Sequence, residues 1–451
     1  MNKNRSVLVV FVLSAVLAIA ANARPNVILV MADDLGYNDL SCYGSERIKT
    51  PVLDRLASEG VRLTSFYAGA TVCTPSRMAL LTGAYPVRLG WRGGVMGYRI
   101  RSANGLAANA LTMGDVFKAA GYRTALIGKW HLGDTSEHAP MAQGFDTTFW
   151  IKKSNNQTKK LYRGEELIED PFLNRMLSEQ FTREAISFIE ANRKQSFFLY
   201  LPYTAPHFPA EAHPDWKGAS DNAAYGDVVE ELDHRMGELM EAVKRCGLDK
   251  NTLFIFISDN GTEPGQRKWG EATPYRGMKW SSLEGGNRVP GILHWPGVIP
   301  AGGVDDRIVA SIDLLPTLAA ACDMALPVKA KSPVIDGVNQ WPGLVDATQP
   351  HARSELLYWS GWAIPQAIRM GSMKLYLDEI KELPDSKQGP VLVDLGEDPQ
   401  ELKNLSKDRP EQVKKMLERA RERFSNVESQ SMELGGPKLD SPAQPKRGKW
   451  L

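Results

Sequence analysis

Cys73 opens a Cys-Thr-Pro-Ser-Arg run in which a nucleophile, a helix start and a cation are spaced for chemistry. Thr74 suits a helix N-cap and Pro75 the first helical position, which puts Cys73 where unpaired backbone N–H groups and the positive dipole end emerge. Arg77 lies one turn along the same face. A thiol so placed is expected to ionise below its ordinary range; on these residues alone it could equally be a buried or redox-responsive cysteine. Hard oxygens recur at two other places. Asp33-Asp34 follows the apolar run Asn26 to Ala32, and Asp259-Asn260 follows Thr252 to Ser258. Together they suit a calcium-type ion, whereas the lack of His or Cys beside them at metal spacing disfavours zinc. Lys129 and His131, two positions apart, are expected on one side of a strand's end. His207, flanked by Pro206 and Pro209, sits on a stiff extended loop.

The pentapeptide, with Leu81-Thr82-Gly83 after it, closely resembles the signature of the formylglycine-dependent sulfatases. Gly128-Lys129-Trp130-His131-Leu132-Gly133 resembles the second signature of that family. Arg276 to Pro290 is similar to a further block, with Met278 where a second glycine is usual and Lys279 as the matching sulfate-facing lysine. The resemblance implies that Cys73 is oxidised to Cα-formylglycine by a formylglycine-generating or anaerobic sulfatase-maturating enzyme that reads Pro75 and Arg77 on the unfolded chain. It implies one Ca2+ held by Asp33, Asp34, Asp259, Asn260 and the modified Cys73. It further implies that the aldehyde hydrate attacks sulfur, with Asp259 as a candidate base, while Arg77, Lys129, His207 and Lys279 stabilise the sulfate oxygens. Lys279 or His207 would protonate the leaving oxygen, and His131 would take the proton that lets the sulfated intermediate collapse. The second hydroxyl is the reason for an aldehyde, since an ordinary Ser or Cys ester must await water.

Positioning these groups requires an open α/β sheet, whose site lies at the carboxyl ends of buried strands. The runs Asn26 to Ala32, Val61 to Tyr67, Tyr122 to Lys129, Ser196 to Leu201 and Thr252 to Ser258 read as strands. Thr50 to Gly60, Thr112 to Ala120, Leu177 to Asn192 and Asp227 to Cys246 read as helices. The implied fold is alkaline-phosphatase-like α/β: a mixed, mostly parallel sheet sandwiched by helices, with a smaller C-terminal antiparallel sheet and one helix. Residues 24–345 are expected to form the catalytic domain and 346–425 the C-terminal subdomain, with a frayed tail over 426–451.

At 451 residues the chain can hold more than one core, and its formal net charge of +1 argues against nucleic acid as a partner. Lys3 and Arg5, the apolar run Val7 to Ala20 and Ala21-Asn22-Ala23 fit a cleaved signal peptide over 1–23, hence an exported, periplasmic or secreted protein without a membrane span. With Cys73 committed, Cys42, Cys246 and Cys322 allow at most one disulfide, and the pairing stays open. Export and the tryptophans Trp91, Trp150, Trp269 and Trp362 suit a sulfated sugar or small molecule, since aromatic faces stack on carbohydrate, although each ring could be core. Trp91, Arg92 and Arg101 fall in a long irregular stretch from Ala84 to Ala108 that could form a substrate-facing rim. The pattern most resembles the arylsulfatase A and N-acetylgalactosamine-6-sulfatase group. A phosphonate or phosphodiester hydrolase on the same scaffold, or a non-catalytic sulfated-glycan binder, are the competing readings.

Overall fold

A strand covered on both faces needs apolar residues throughout, and the continuous apolar runs of this chain become such strands. The computed structural model describes residues 24–101, 103–327, 332–383 and 385–437; the leader expected over 1–23 lies outside them. In chain order the main sheet comprises β1 (Asn26–Ala32), β2 (Val61–Leu63), β3 (Arg123–Lys129), β4 (Thr147–Ile151), β5 (Leu161–Arg163), β6 (Glu166–Glu169), β7 (Phe197–Pro202), β8 (Thr252–Ser258), β9 (Gly291–His294) and β10 (Gly303–Asp305). Their spatial order is β10-β2-β9-β8-β1-β7-β3-β4-β5-β6. The run β8-β1-β7-β3-β4 is parallel, β9 pairs antiparallel with β8, and the β5–β6 hairpin continues the other flank.

Alternation along β1 divides the interior. Val27, Leu29 and Met31 enter one hydrophobic core, while Ile28, Val30 and Ala32 enter the other. On the first face pack α2 (Cys73–Thr82) and α3 (Met113–Ala119), through Met78, Leu80, Leu81, Val116 and Phe117. On the second pack α1 (Pro51–Glu59), α4 (Leu177–Ala191) and α5 (Ala223–Arg245), through Leu53, Leu56, Phe181, Leu232 and Met236. Thr112 and Asp115 close a reciprocal capping box at the start of α3. No described helix is long and apolar enough to cross a membrane.

Several expectations need adjustment. The single strand expected from Val61 to Tyr67 breaks after Leu63, and Phe66–Tyr67 pairs separately with Val309–Ala310. Cys42, Cys246 and Cys322 are all unbridged. After α6 (Glu284–Asn287), α7 (Leu314–Ala321) and α8 (Trp341–Val345), the C-terminal strands β11 (Glu355–Trp359), β12 (Pro365–Met370), β13 (Met373–Tyr376) and β14 (Val391–Asp394) form an antiparallel sheet in sequential order. The helix α9 (Pro410–Ser429) buries Met416, Ala420, Phe424 and Val427 and runs on into the stretch after 425 that is expected to fray. Of the tail expected over 426–451, residues 438–451 lie outside the described residues, and the described part is tied to the main domain. The Met432 N–H donates to the Arg88 carbonyl at 2.7 Å, and Gly435 exchanges backbone bonds with Gly105.

The two sheets meet across buried charge. Lys374 on β13 donates to Glu284 at 2.8 Å, to Glu401 at 3.1 Å and to the Ser282 carbonyl at 2.8 Å. Tyr67 also bonds Glu284, Tyr376 bonds Glu401, and Arg288 and Arg369 flank Tyr67. Removing one partner of such a set strands the others in a dry interior. Lys374→Met is therefore expected to destabilise the protein by about 3–5 kcal/mol, read as a lower urea midpoint with an unchanged slope; an unaltered midpoint would show that the network does not brace the subdomain.

Candidate active site

Four neighbouring parallel strands deliver their carboxyl ends to one rim. β8 leads into Asp259-Asn260, β1 into Asp33-Asp34, β7 toward His207, and β3 ends at Lys129 with His131 just beyond. The levels match because β1 pairs Met31 with Pro202 and Ala32 with Ser258. Backbone bonds continue past the strands: Asp33 N–H donates to Ala205 at 2.9 Å and Asp259 N–H to Ala32 at 3.1 Å. Helix α2 enters from the side. It begins at Cys73 itself, with extended Val72 before it, two positions earlier than Thr74 capping would give. Thr74 is drawn away from capping: its hydroxyl donates to the His131 carbonyl at 3.1 Å and accepts from Met96 N–H at 3.0 Å.

Three buried carboxylates and three cations fill the rim, with the half-buried Glu263 at its edge. Arg77 donates to Asp259 Oδ2 through Nε (3.0 Å) and Nη2 (2.8 Å), and its Nη2 lies 3.4 Å from Asp33. Lys129 Nζ lies 2.6 Å from Asp33, and Lys279 Nζ lies 2.8 Å from Asp34 and 3.0 Å from Glu263. Asp34 accepts from Asn260 Nδ2 at 2.7 Å, and its own N–H donates to Asp259 at 3.1 Å. His207 Nε2 stands 3.6 Å from Asp34, and Cys73 Sγ 4.0 Å from it. Asp34 and His131 both hold left-handed backbone, at φ of 65° and 61°, conformations that ordinary side chains adopt at a cost.

Cys73, Arg77, Lys129, His131, His207, Lys279, Asp33, Asp34, Asp259 and Asn260 therefore lie together and buried at this rim, although the electrostatics differ from expectation. The Cys73 thiol is not activated. Burial pushes it up to about 12 despite Lys129 and Lys279, with Asp259 and Asp33 adding to the rise. Burial would also raise Asp33, but Lys129, His207, Arg77 and Lys279 outweigh it and hold that carboxyl well below its usual range. Asp259 moves the other way, pushed up by burial and by Asp33. Lys279 is raised because Asp34 and its other anionic neighbours overcome burial.

Both histidines are neutral near pH 7. Burial lowers His207 to about 4, and burial, Lys129 and Arg77 lower His131 well below its ordinary value. Their acceptors assign the tautomers. His207 Nδ1 faces Asn155 Oδ1 at 3.0 Å and the Phe208 carbonyl at 2.6 Å, so it carries the proton and leaves Nε2 bare toward Asp34. His131 Nε2 faces the Met96 carbonyl and Gln157 Oε1, each at 3.1 Å, so its buried Nδ1 is a free lone pair.

The donor set could hold a metal ion. Ligand atoms of Asp33, Asp34, Cys73 and His207 lie within 4.8 Å of one another. Asn260 Oδ1 is buried without a partner while its amide N–H turns to a carboxylate, and Asp33 Oδ1 accepts no hydrogen bond. Two orphaned oxygens beside Asp34 are what calcium-type coordination would satisfy. Asp259 has both oxygens engaged by Arg77 and by Asp34 N–H.

Sequence reasoning missed Asn155, Gln157, Glu263 and the Met96 carbonyl. The first two lie in the polar stretch after Lys152, where no spacing distinguishes them from solvent-facing residues. Of the tryptophans considered for sugar contact, Trp91 and Trp150 are buried in the core, and only Trp269 and Trp362 are partly accessible. Arg92 donates to the Val87 and Trp91 carbonyls, and so braces its own loop.

A sulfatase family model matches residues 25–324. The chain is 32% identical over 437 residues to the steryl-sulfatase of Homo sapiens, covering 77% of this chain and 74% of that protein. It is 34% identical over 436 residues to arylsulfatase A of Bos taurus, covering 86% and 84%. Among solved structures, Ps i-CgsB in complex with k-i-k-neocarrahexaose superposes with a TM-score of 0.80 at 29% identity, over 91% of this chain and 94% of that one.

The depressed Asp33 carboxyl makes an acid-stability prediction. Its folded value lies below the unfolded 3.8, so its contribution is complete above the unfolded value and disappears as pH falls through the folded one. Lys129→Met removes its nearest cation and should move the midpoint of acid unfolding upward; a midpoint unchanged or lowered would contradict the assignment.

Proposed function

The chain belongs to the sulfatase family, a family of sulfuric ester hydrolases, and from that premise we propose that it cleaves a sulfate monoester of a carbohydrate using a formylglycine at Cys73 and one Ca2+. The observation that carries this reading is the buried cluster in which Cys73 faces three carboxylates and three cations, with Asn260 Oδ1 and His131 Nδ1 left unpartnered. Cys73 Sγ marks where the aldehyde-derived oxygens would lie.

Asp33, Asp34, Asp259, Asn260 and the altered Cys73 would hold the ion, which when bound supplies positive charge to the sulfate oxygens and to the attacking oxygen. Without it the three cations are offset by three buried carboxylates and by Glu263 on Lys279, so the site has no net pull on an anion; two added charges would make it electropositive. Arg77 and Lys129, locked by Asp259 and Asp33, fix cationic groups around Cys73 without reorganisation. Lys279 stays charged and can give a proton to the departing alkoxide, a stronger base than an amine. His207, neutral with a bare Nε2, is better suited to accept than to donate. His131 Nδ1 is the unpaired base for a hydroxyl on Cys73.

Cys73, Pro75 and Arg77 are all buried in the fold. A maturing enzyme would have to act before folding, and the expected leader over 1–23 would carry the product out of the cell. Similarity to Ps i-CgsB, whose structure holds an oligosaccharide, supports a sugar sulfate over other esters.

The test is sulfate release from protein co-expressed with a maturing enzyme. Cys73→Ala should lose about 10³-fold or more in turnover, chelation should reduce wild-type activity reversibly, and sulfate esters should exceed phosphate and phosphonate esters at saturating Ca2+. Preference for a phosphonate, or a Cys73→Ala variant with full activity, would overturn the reading.

A further inference from the structure

Beside the cluster, three chain segments interlock into a patch that the chemistry above does not use. Trp280 follows Lys279 directly, and its N–H donates to the Thr71 carbonyl just ahead of Cys73 at 3.0 Å. Trp362, from the β11–β12 turn of the C-terminal sheet, stacks on Trp280 with ring centroids 4.9 Å apart at 29°. Tyr98 stands against both rings, at 6.4 Å and 6.1 Å. It lies two residues beyond Met96, whose carbonyl touches His131. The turns are joined by a Gly94 N–H bond to the Gly361 carbonyl at 2.9 Å.

On this scaffold lies Arg99, its guanidinium carbon 4.2 Å from the Trp362 ring centroid. It is exposed and forms no ion pair among the described residues. Arg99, Trp280 and Ala363 all hold left-handed backbone, at φ of 71°, 75° and 59°. Three non-glycine residues in that region within one patch mean that the surroundings enforce an arrangement local preference opposes. Tyr98, with 52% of its surface open, offers an aromatic face to solvent. A guanidinium held over an indole by the ring leaves its N–H fork to an incoming anion, and that fork matches sulfate or carboxylate oxygens in two-pronged fashion. An apolar or neutral leaving group would leave that fork unused.

Resting on the sulfatase reading, we propose that Tyr98 and Arg99, with Trp280 and Trp362 as positioning residues, form a subsite for an anionic saccharide: the substrate carries a second sulfate or a carboxylate near the ester that is cleaved. Tyr98 packs on the C–H face of the sugar, and Arg99 binds the second anion.

The experiment compares kcat/KM for a small aryl sulfate, a monosulfated disaccharide, a disulfated one and a sulfated disaccharide containing a uronate. In wild type one of the two doubly anionic sugars should exceed the monosulfated sugar, and which of them does so identifies the second anion. Arg99→Gln should cut that sugar's kcat/KM relative to the aryl sulfate by about tenfold or more, chiefly through KM, with Arg99→Lys restoring part. Tyr98→Ala should lower all three sugars relative to the aryl sulfate. Calorimetric binding of the same sugars to the wild-type protein gives a second readout that does not depend on how the variants fold. A wild type that cleaves aryl sulfate yet neither prefers nor binds the doubly anionic sugars more tightly, or an Arg99→Gln ratio changed by less than about twofold, would overturn the subsite and leave the sulfatase reading intact. Failure to release sulfate from any substrate would overturn both.

Discussion

Asp33, Asp34 and Asp259 are three carboxylates sealed from water at the end of a parallel sheet, and they can remain there only because three cations are sealed in with them. Arg77 locks to Asp259, Lys129 to Asp33 and Lys279 to Asp34, each at 2.6–2.8 Å. The six groups come from five segments, so the charge balance ties the first, third and eighth strands, the nucleophile helix and the loop before Glu284 into one unit. Loss of any one would leave an unpaired charge in low dielectric. The same enforced closeness makes the rim ready for chemistry, since donors and cations are fixed before a substrate arrives.

The small C-terminal sheet belongs to this arrangement rather than standing apart. Lys374 reaches from it to Glu284 and to the Ser282 carbonyl, a few residues after Lys279, and Trp362 stacks on Trp280 next door. The loop that carries Lys279 is thus held between both sheets. A subdomain that looks accessory in sequence is the outer wall of the cation-lined site.

Much of this was legible in the chain because the informative residues lie at strand ends, where apolar runs stop abruptly at charged or amide side chains. Thr252 to Ser258 followed by Asp259-Asn260 announces both a buried strand and a site position, and the strand bounds match those read from sequence. The long helices were legible for the same periodic reasons. Environment was not. Cys73 at a helix start beside Arg77 suggested a low thiol value, but that inference assumed a partly open site; Arg77 is instead spent on Asp259, and complete burial dominates. Asn155 and Gln157 reach the histidines only through tertiary packing. The composition past residue 425 suggests fraying, yet Met432 and Gly435 dock through backbone bonds to Arg88 and Gly105, which no side-chain pattern records.

The central claim is that the residue at position 73 works as an aldehyde set among pre-paired charges. Peptide mass spectrometry of active protein, made with a maturing enzyme and digested around residues 73–77, tests it most directly. The account predicts that the Cys73 side chain has become an aldehyde, in a fraction that tracks specific activity across preparations. Full specific activity from protein whose peptide retains only the thiol would contradict it.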